Sequence, residues 1–161
     1  MTRDMDGAEK LVAQNRRARH DYFILETIEA GLVLSGTEVK SLRAGKASLG
    51  EAYATVEGGE AWVIQMHIPP YEQGNRWNLD PVRRRKLLVH RKEIERLEAA
   101  VAQKGQTVVP LKLYFSNGRA KLLIGIAKGK KSFDKRATSA ERDAKREMDR
   151  ARRATRRGRG E

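Results

Sequence analysis

Thr107-Val-Val-Pro-Leu-Lys-Leu-Tyr-Phe-Ser-Asn-Gly-Arg-Ala-Lys-Leu-Leu-Ile-Gly-Ile126 is two apolar, β-rich runs separated by a turn. Asn117-Gly118 sits at the centre. Both residue types accept the positive φ of a type I′ turn, whose twist matches that of two antiparallel strands. The stretch therefore predicts a hairpin over Thr107–Phe115 and Lys121–Ile126. Pro110 has no N–H to give to a ladder, so it marks an edge or a bulge in that hairpin.

The same logic extends upstream. Gly58-Gly59 joins Ala52–Glu57 to Glu60–Met66 as a second hairpin. Tyr22–Ile28 reads as a strand, Glu29-Ala-Gly31 as a turn and Leu32-Val-Leu34 as a returning strand. Ser35 with Glu38 forms a capping box that opens a short helix, with Val39 and Leu42 on one face and Gly45 as its stop. Ile94, Leu97 and Val101 have helical spacing, and Gly105 ends that helix. Pro69–Pro81 is a polar loop carrying Tyr71 and Trp77, and Arg83–Val89 is either a strand or the lead into a helix. About six strands and two short helices, with each strand pair closed by a turn, give a mainly β fold. The nearest class is the small closed antiparallel barrel of the oligonucleotide-binding (OB) type, here with a basic C-terminal tail. A two-sheet sandwich is the alternative.

Charge divides the 161 residues differently. Lys128–Glu161 holds 14 Lys and Arg against six acids, which is +8 of the chain's net +13. Its large apolar residues are Phe133 and Met148 alone, too little apolar surface to offset the entropy of ordering the segment. Such a tail calls for a polyanion, and nucleic acid comes first because Lys and Arg release counterions from phosphates. Three segments follow: residues 1–14 as a flexible N-terminus, 15–127 as the barrel, and 128–161 as a tail that is disordered when free and helical when bound. The tail's order is in its sequence. Thr138 and Glu141 form a capping box, Glu141/Lys145 and Asp149/Arg153 are i,i+4 pairs, and a seam of alanines runs along one side. A helix from Ser139 to about Thr155 is expected, just past the ~12–15 residues at which isolated helices are marginal.

Enzymatic chemistry finds little support. There is no cysteine, which excludes disulfides, thiolate metal sites and a Cys nucleophile and fits a reducing cytoplasm. The N-terminus has no apolar signal core, and no apolar run approaches the ~18 residues of a membrane span. His20, His67 and His90 are far apart, and no phosphate-cradling or nucleophile-elbow motif is present. No catalytic residue, metal or cofactor is expected. Binding chemistry is better served. Asn15, Arg16, Arg17 and Arg19 precede the first expected strand, either a solvated flank or a grip on phosphate and a base edge. Tyr22 either stacks on a base or packs in the barrel. Glu29 is a turn residue or, if it meets nucleic acid, an acceptor for a base amino or imino group. Arg83–Lys86 is a solvated edge or a phosphate clamp.

Several blocks together resemble one family. They are Asn15–Ile24, Glu29–Gly31, Glu38–Lys46, Asp80-Pro81 with Arg85–Leu88, Thr107–Val109, and Gly125–Lys131 with Asp134–Arg136. In this order they are similar to small protein B, SmpB, the partner of transfer-messenger RNA in bacterial ribosome rescue. The resemblance implies a non-enzymatic, cytoplasmic protein with an OB-like barrel that binds the tRNA-like domain of that RNA. By motif position the RNA contacts would be Asn15, Arg16, Arg17, Tyr22, Glu29, Lys40, Arg43, Leu88 and Lys121. It further implies that the tail enters the empty messenger channel of a stalled ribosome and becomes helical. Gly129, Lys130, Lys131, Phe133, Asp134, Lys135 and Arg136 would meet ribosomal RNA in the decoding centre, with Arg142, Lys145, Arg146, Arg150 and Arg153 further along. Elongation factor Tu would be an indirect partner through the RNA. Two positions depart from the family pattern. Phe133 stands where His or Tyr is usual, which keeps stacking and loses a ring hydrogen bond. Ala144 stands where some members carry Trp. A structural ribosomal protein, also small, basic and barrel-shaped, is the competing class.

Overall fold

The computed structural model describes residues 9–71, 79–130 and 132–159, with side chains described throughout except at 132–139 and 154–159. Residues 1–129 and 130–161 are two separate compact units. The first carries seven strands: β1 (Lys10–Gln14), β2 (Tyr22–Leu32), β3 (Tyr53–Glu57), β4 (Glu60–Ile64), β5 (Arg85–Leu88), β6 (Gln106–Ser116) and β7 (Arg119–Gly129). Helices α1 (Ala18–Asp21), α2 (Gly36–Arg43) and α3 (Arg91–Ala102) belong to the same unit. The second unit is one helix, α4 (Ser132–Arg159).

The β6–β7 hairpin organises the barrel. Asn117 and Gly118 take φ of 53° and 74°, the left-handed values a type I′ turn requires. The pairing runs from Ser116↔Arg119 to Gln106↔Lys128, with a register shift between Pro110 and Lys112. That bulge is where the missing N–H of Pro110 is accommodated. β6 uses its other edge twice, for β1 near its end and for β3 at Val108. The strands close as β6-β3-β4-β5-β2-β7 and back to β6, every pairing antiparallel. This closure excludes the sandwich. The ring has six strands rather than the five of the OB type, and β1 is added outside it.

The interior holds Ile28, Ala30, Val63, Leu87, Leu113, Leu122 and Ile124, with Leu42 of α2 and Leu97 of α3 packed into the same core. A smaller cluster lies on the outer side, where Ala18 of α1 covers Val109, Leu111 and Ala127. Both faces of β6 and β7 are thus covered. This explains why their sequences are nearly continuous apolar runs rather than alternating ones.

Three readings are corrected. Residues 10–14 are not a flexible flank: they form β1, paired Lys10↔Phe115 to Gln14↔Lys112. Glu29-Ala-Gly31 is not a turn, because β2 runs unbroken through it from Tyr22 to Leu32. β7 extends to Gly129, so Lys128 and Gly129 belong to the barrel. Arg83–Val89, left open between strand and helix, contains β5. Trp77 lies outside the described residues.

Candidate nucleic-acid interface

Because β2 is continuous, Glu29 sits opposite Leu123 and Gly31 opposite both Lys121 of β7 and Leu88 of β5. Three side chains expected to contact RNA therefore converge on one cleft of about 680 Å³, lined by Glu29, Gly31, Lys86, Leu88, His90 and Lys121. Gly31 lines it as well, and a Cβ there would lie 3.3 Å from the Leu88 Cβ, so a side chain at this position would crowd Leu88. Leu88 is 55% exposed, an apolar surface at the mouth of a polar cleft. The Tyr114 hydroxyl donates to Glu29 Oε2. Tyr114 is itself buried, and its ionisation is pushed far up by burial and then by the Glu29 carboxylate, so it remains a donor. The cleft thus offers an acceptor, an apolar plate and a cation, which suits one unstacked base with its phosphate.

A second cleft, of about 460 Å³, lies at the other end of β2 and is lined by Asn15, Arg17, Asp21, Tyr22, Tyr53 and Thr107. Tyr22 and Glu29 are on the order of 20 Å apart at ~3.3 Å per strand residue. Asn15 Nδ2 donates to the Pro110 carbonyl (3.1 Å), fixing the amide against the β6 bulge. Tyr22 is half-buried against the outer cluster, so it packs and borders a cleft at once. Arg16 and Arg17 are exposed. Lys40 and Arg43 are also exposed, on α2, and line neither cleft. Lys40 Nζ lies 5.6 Å from the centre of the Tyr71 ring.

Arg83–Lys86 is not one uniform edge: Arg84 and Lys86 reach the surface, and Arg85 does not. Arg85 faces inward in register with Val63 and is fully buried. Its Nε donates to Glu38 Oε2 (2.7 Å), and its remaining nitrogens donate to the carbonyls of Met66 (2.6 Å), Pro81 (3.0 Å) and Arg83 (3.1 Å). Arg83 also bonds Glu38 through both carboxylate oxygens. Arg84 stacks over Trp62 at 4.1 Å and pairs with Glu57, and Lys86 pairs with Glu60. Glu38 closes the expected capping box as well, accepting from the Ser35 N–H at 2.9 Å. Burial alone would raise its pKa; the bonds from Arg83, Ser35 and Arg85 outweigh that and hold it below the ordinary carboxylate value. The sequence signal for this network was period two: Arg85 and Leu87 share a strand face, so both point into the core.

The histidines stay apart. His20 pairs with Asp21, His67 bridges Ser48 through its backbone, and His90 precedes α3. Among the described residues no group of three or more His, Cys, Asp or Glu is placed to hold a metal.

A model of the SmpB protein family matches residues 12–154. The chain belongs to the SmpB family. It is 63% identical to the SsrA-binding protein of Acetivibrio thermocellus over 88% of this chain and 92% of that one. The Bacillus pumilus SsrA-binding protein is 59% identical over 90% and 93%. A solved structure described as "tmRNA-SmpB: a journey to the center of the bacterial ribosome" superposes with a TM-score of 0.64 at 56% identity, covering 74% of this chain and 85% of that one.

In this SmpB-family chain the tail residues fall on α4, which starts at Ser132 rather than Ser139 and runs to Arg159 rather than Thr155. Phe133, Asp134, Lys135 and Arg136 lie in its first turns. Arg142, Lys145, Arg146, Arg150 and Arg153 are exposed along it, as is Met148. The ion pair along this helix among the described residues is Asp143–Arg146 at 4.0 Å, not the two i,i+4 pairs expected. Gly129 closes β7 opposite Tyr22, Lys130 follows it, and Lys131 lies outside the described residues. Sequence reasoning missed Tyr114. Its signal was a tyrosine in an otherwise apolar strand, whose hydroxyl needs a partner when buried.

Proposed function

We propose that this SmpB-family chain binds the tRNA-like domain of transfer-messenger RNA through its barrel. It delivers that RNA to stalled ribosomes for trans-translation, and its tail probes the vacant messenger channel. The convergence of Glu29, Leu88 and Lys121 on one cleft is the observation that carries the RNA-binding part. The relatives' name, SsrA-binding protein, and the structural relative from a tmRNA-SmpB ribosome complex support the partners. Asn15, Arg16, Arg17, Tyr22, Lys40 and Arg43 extend the RNA face. The basic residues of α4, with Gly129 to Arg136 before and within it, serve the decoding centre and channel.

The division of labour follows from the chemistry. A few polar and apolar contacts on the barrel read an unstacked base and the RNA's shape. The tail adds attraction to phosphate without reading sequence. Messenger and tail compete for one volume, so a ribosome with downstream message excludes the tail. No covalent step is required, and the protein acts as a binding factor in the cytoplasm rather than an enzyme. Elongation factor Tu takes part through the RNA. No described helix is long and apolar enough to cross a membrane.

Sequencing the RNA that co-purifies with the full chain tests this reading. Enrichment of transfer-messenger RNA at substoichiometric ribosome occupancy is expected. Stoichiometric retention on salt-washed ribosomes without that RNA would identify a structural ribosomal protein instead. In filter binding at physiological salt, Glu29→Ala lowers affinity about tenfold or more, the worth of a hydrogen bond to a charged group. Unchanged binding would remove Glu29 from the interface.

A further inference from the structure

The geometry points to Tyr114 as the residue that positions Glu29, fixing which carboxylate oxygen is offered to the ligand. This rests on the proposed RNA-binding reading of the cleft and adds to it a residue that has no surface of its own.

Tyr114 sits on β6 opposite Lys121 of β7, and Lys121 in turn sits opposite Gly31 of β2. In the next row of the same face Lys112, Leu123 and Glu29 lie side by side. Glu29 and Tyr114 therefore lie one row apart on the strands either side of β7, and their side chains meet across it. Tyr114 is 2% exposed: Leu11 of β1 pairs opposite it, and Lys112 Nζ lies 5.0 Å from the centre of its ring. Its hydroxyl reaches Glu29 Oε2. Glu29 is exposed, so without that bond its carboxylate would sample several rotamers.

Two cations lie within the same two rows, and each is an alternative partner. Lys112 is engaged by Glu9 at 3.1 Å. Lys121 has no ion pair among the described residues and lines the cleft beside Glu29. A carboxylate that swung to Lys121 would cancel both the acceptor and the cation the RNA needs. A neutral phenol holds the carboxylate without neutralising it. It occupies Oε2 and leaves Oε1 as the acceptor for a base amino or imino group. A tyrosine is suited to this because its phenol is neutral and a donor at physiological pH, and burial and the adjacent carboxylate move its ionisation further up. Lysine in its place would neutralise Glu29, and phenylalanine would leave it loose.

The test uses the full chain as wild type, Tyr114→Phe, Glu29→Gln and the double variant. Two readouts are taken. Without RNA, three-bond NMR couplings report the χ1 distribution of Glu29; one dominant rotamer is expected in wild type and averaging in Tyr114→Phe. With transfer-messenger RNA, Tyr114→Phe loses roughly tenfold in affinity in the wild-type background and little in the Glu29→Gln background, because the two act as one unit. The slope of affinity against salt stays unchanged, since no phosphate contact is lost. Unchanged couplings in Tyr114→Phe overturn the proposal whatever the RNA does. An equal loss in both backgrounds also overturns it, since that marks a general packing defect. Averaged couplings with no effect of Glu29→Gln on RNA binding uphold the positioning and instead overturn the cleft as the RNA site.

Discussion

Glu38 and Arg85 place a charge pair inside the barrel, where burial usually costs more than pairing returns. Here every nitrogen of Arg85 has a partner, and both oxygens of Glu38 are used. Removing one partner leaves the other unpaired. Glu38→Gln is expected to destabilise the fold by about 3–5 kcal/mol in urea titration. The folded carboxylate has a depressed pKa, so its contribution is fully present above the ordinary carboxylate range and is lost as pH falls through the lower folded value. The stability gap between wild type and Glu38→Gln should therefore be constant near neutrality and shrink below about pH 4.3. A gap independent of pH would assign the loss to packing alone. In the cleft, Lys121→Ala should lower the slope of log affinity against log salt by roughly 1, as one phosphate contact is lost. Glu29→Ala should lower affinity without lowering that slope. The same slope change in both would argue against their separate roles.

At the scale of elements, the β6–β7 hairpin carries the barrel because both its faces are covered. Leu122 is fully buried between β2 and β6. Leu122→Ala should cost about 2–5 kcal/mol, measured by chemical denaturation, from lost transfer energy and an unfilled cavity. The helical tail is the other decisive element. Deleting Lys135 onward should leave binding to transfer-messenger RNA nearly intact and abolish tagging of stalled chains. Parallel loss of both would refute the division between barrel and tail. The helix is longer at both ends than its caps predicted. Thr138 and Glu141 have capping-box spacing, yet the helix has already begun at Ser132, so they lie within it. A cap motif marks where a helix is able to start, not that nothing helical precedes it.

Over the whole molecule, local signals were legible wherever one backbone conformation settles the matter. Asn117-Gly118 and Gly58-Gly59 each take positive φ and each closes a hairpin, as their residue types require. The Ser35/Glu38 box is present as read. Charge concentration located the tail, and motif order located the family. By contrast, Glu29-Ala-Gly31 has the composition of a turn and is continuous strand, because pairing with β7 on one edge and β5 on the other overrides local preference. β1 was missed because Lys10–Gln14 is a five-residue stretch whose three apolar residues, Leu11-Val-Ala13, are consecutive rather than alternating and have no turn signal beside them; its strand exists because β6 leaves an edge to pair with. Four consecutive bases at Arg83–Lys86 look alike in sequence, but the pleat sends Arg85 to the core and Arg84 and Lys86 to the surface. The sequence by itself determined the turns, the caps, the basic tail and the kinship, since each rests on residue type and spacing along the chain. Only the tertiary structure decided the closure of the ring, the fate of Arg85 and the meeting of Glu29, Leu88, Lys121 and Tyr114. Those depend on register between strands far apart in sequence, and a shift of one residue would turn every side chain to the other face.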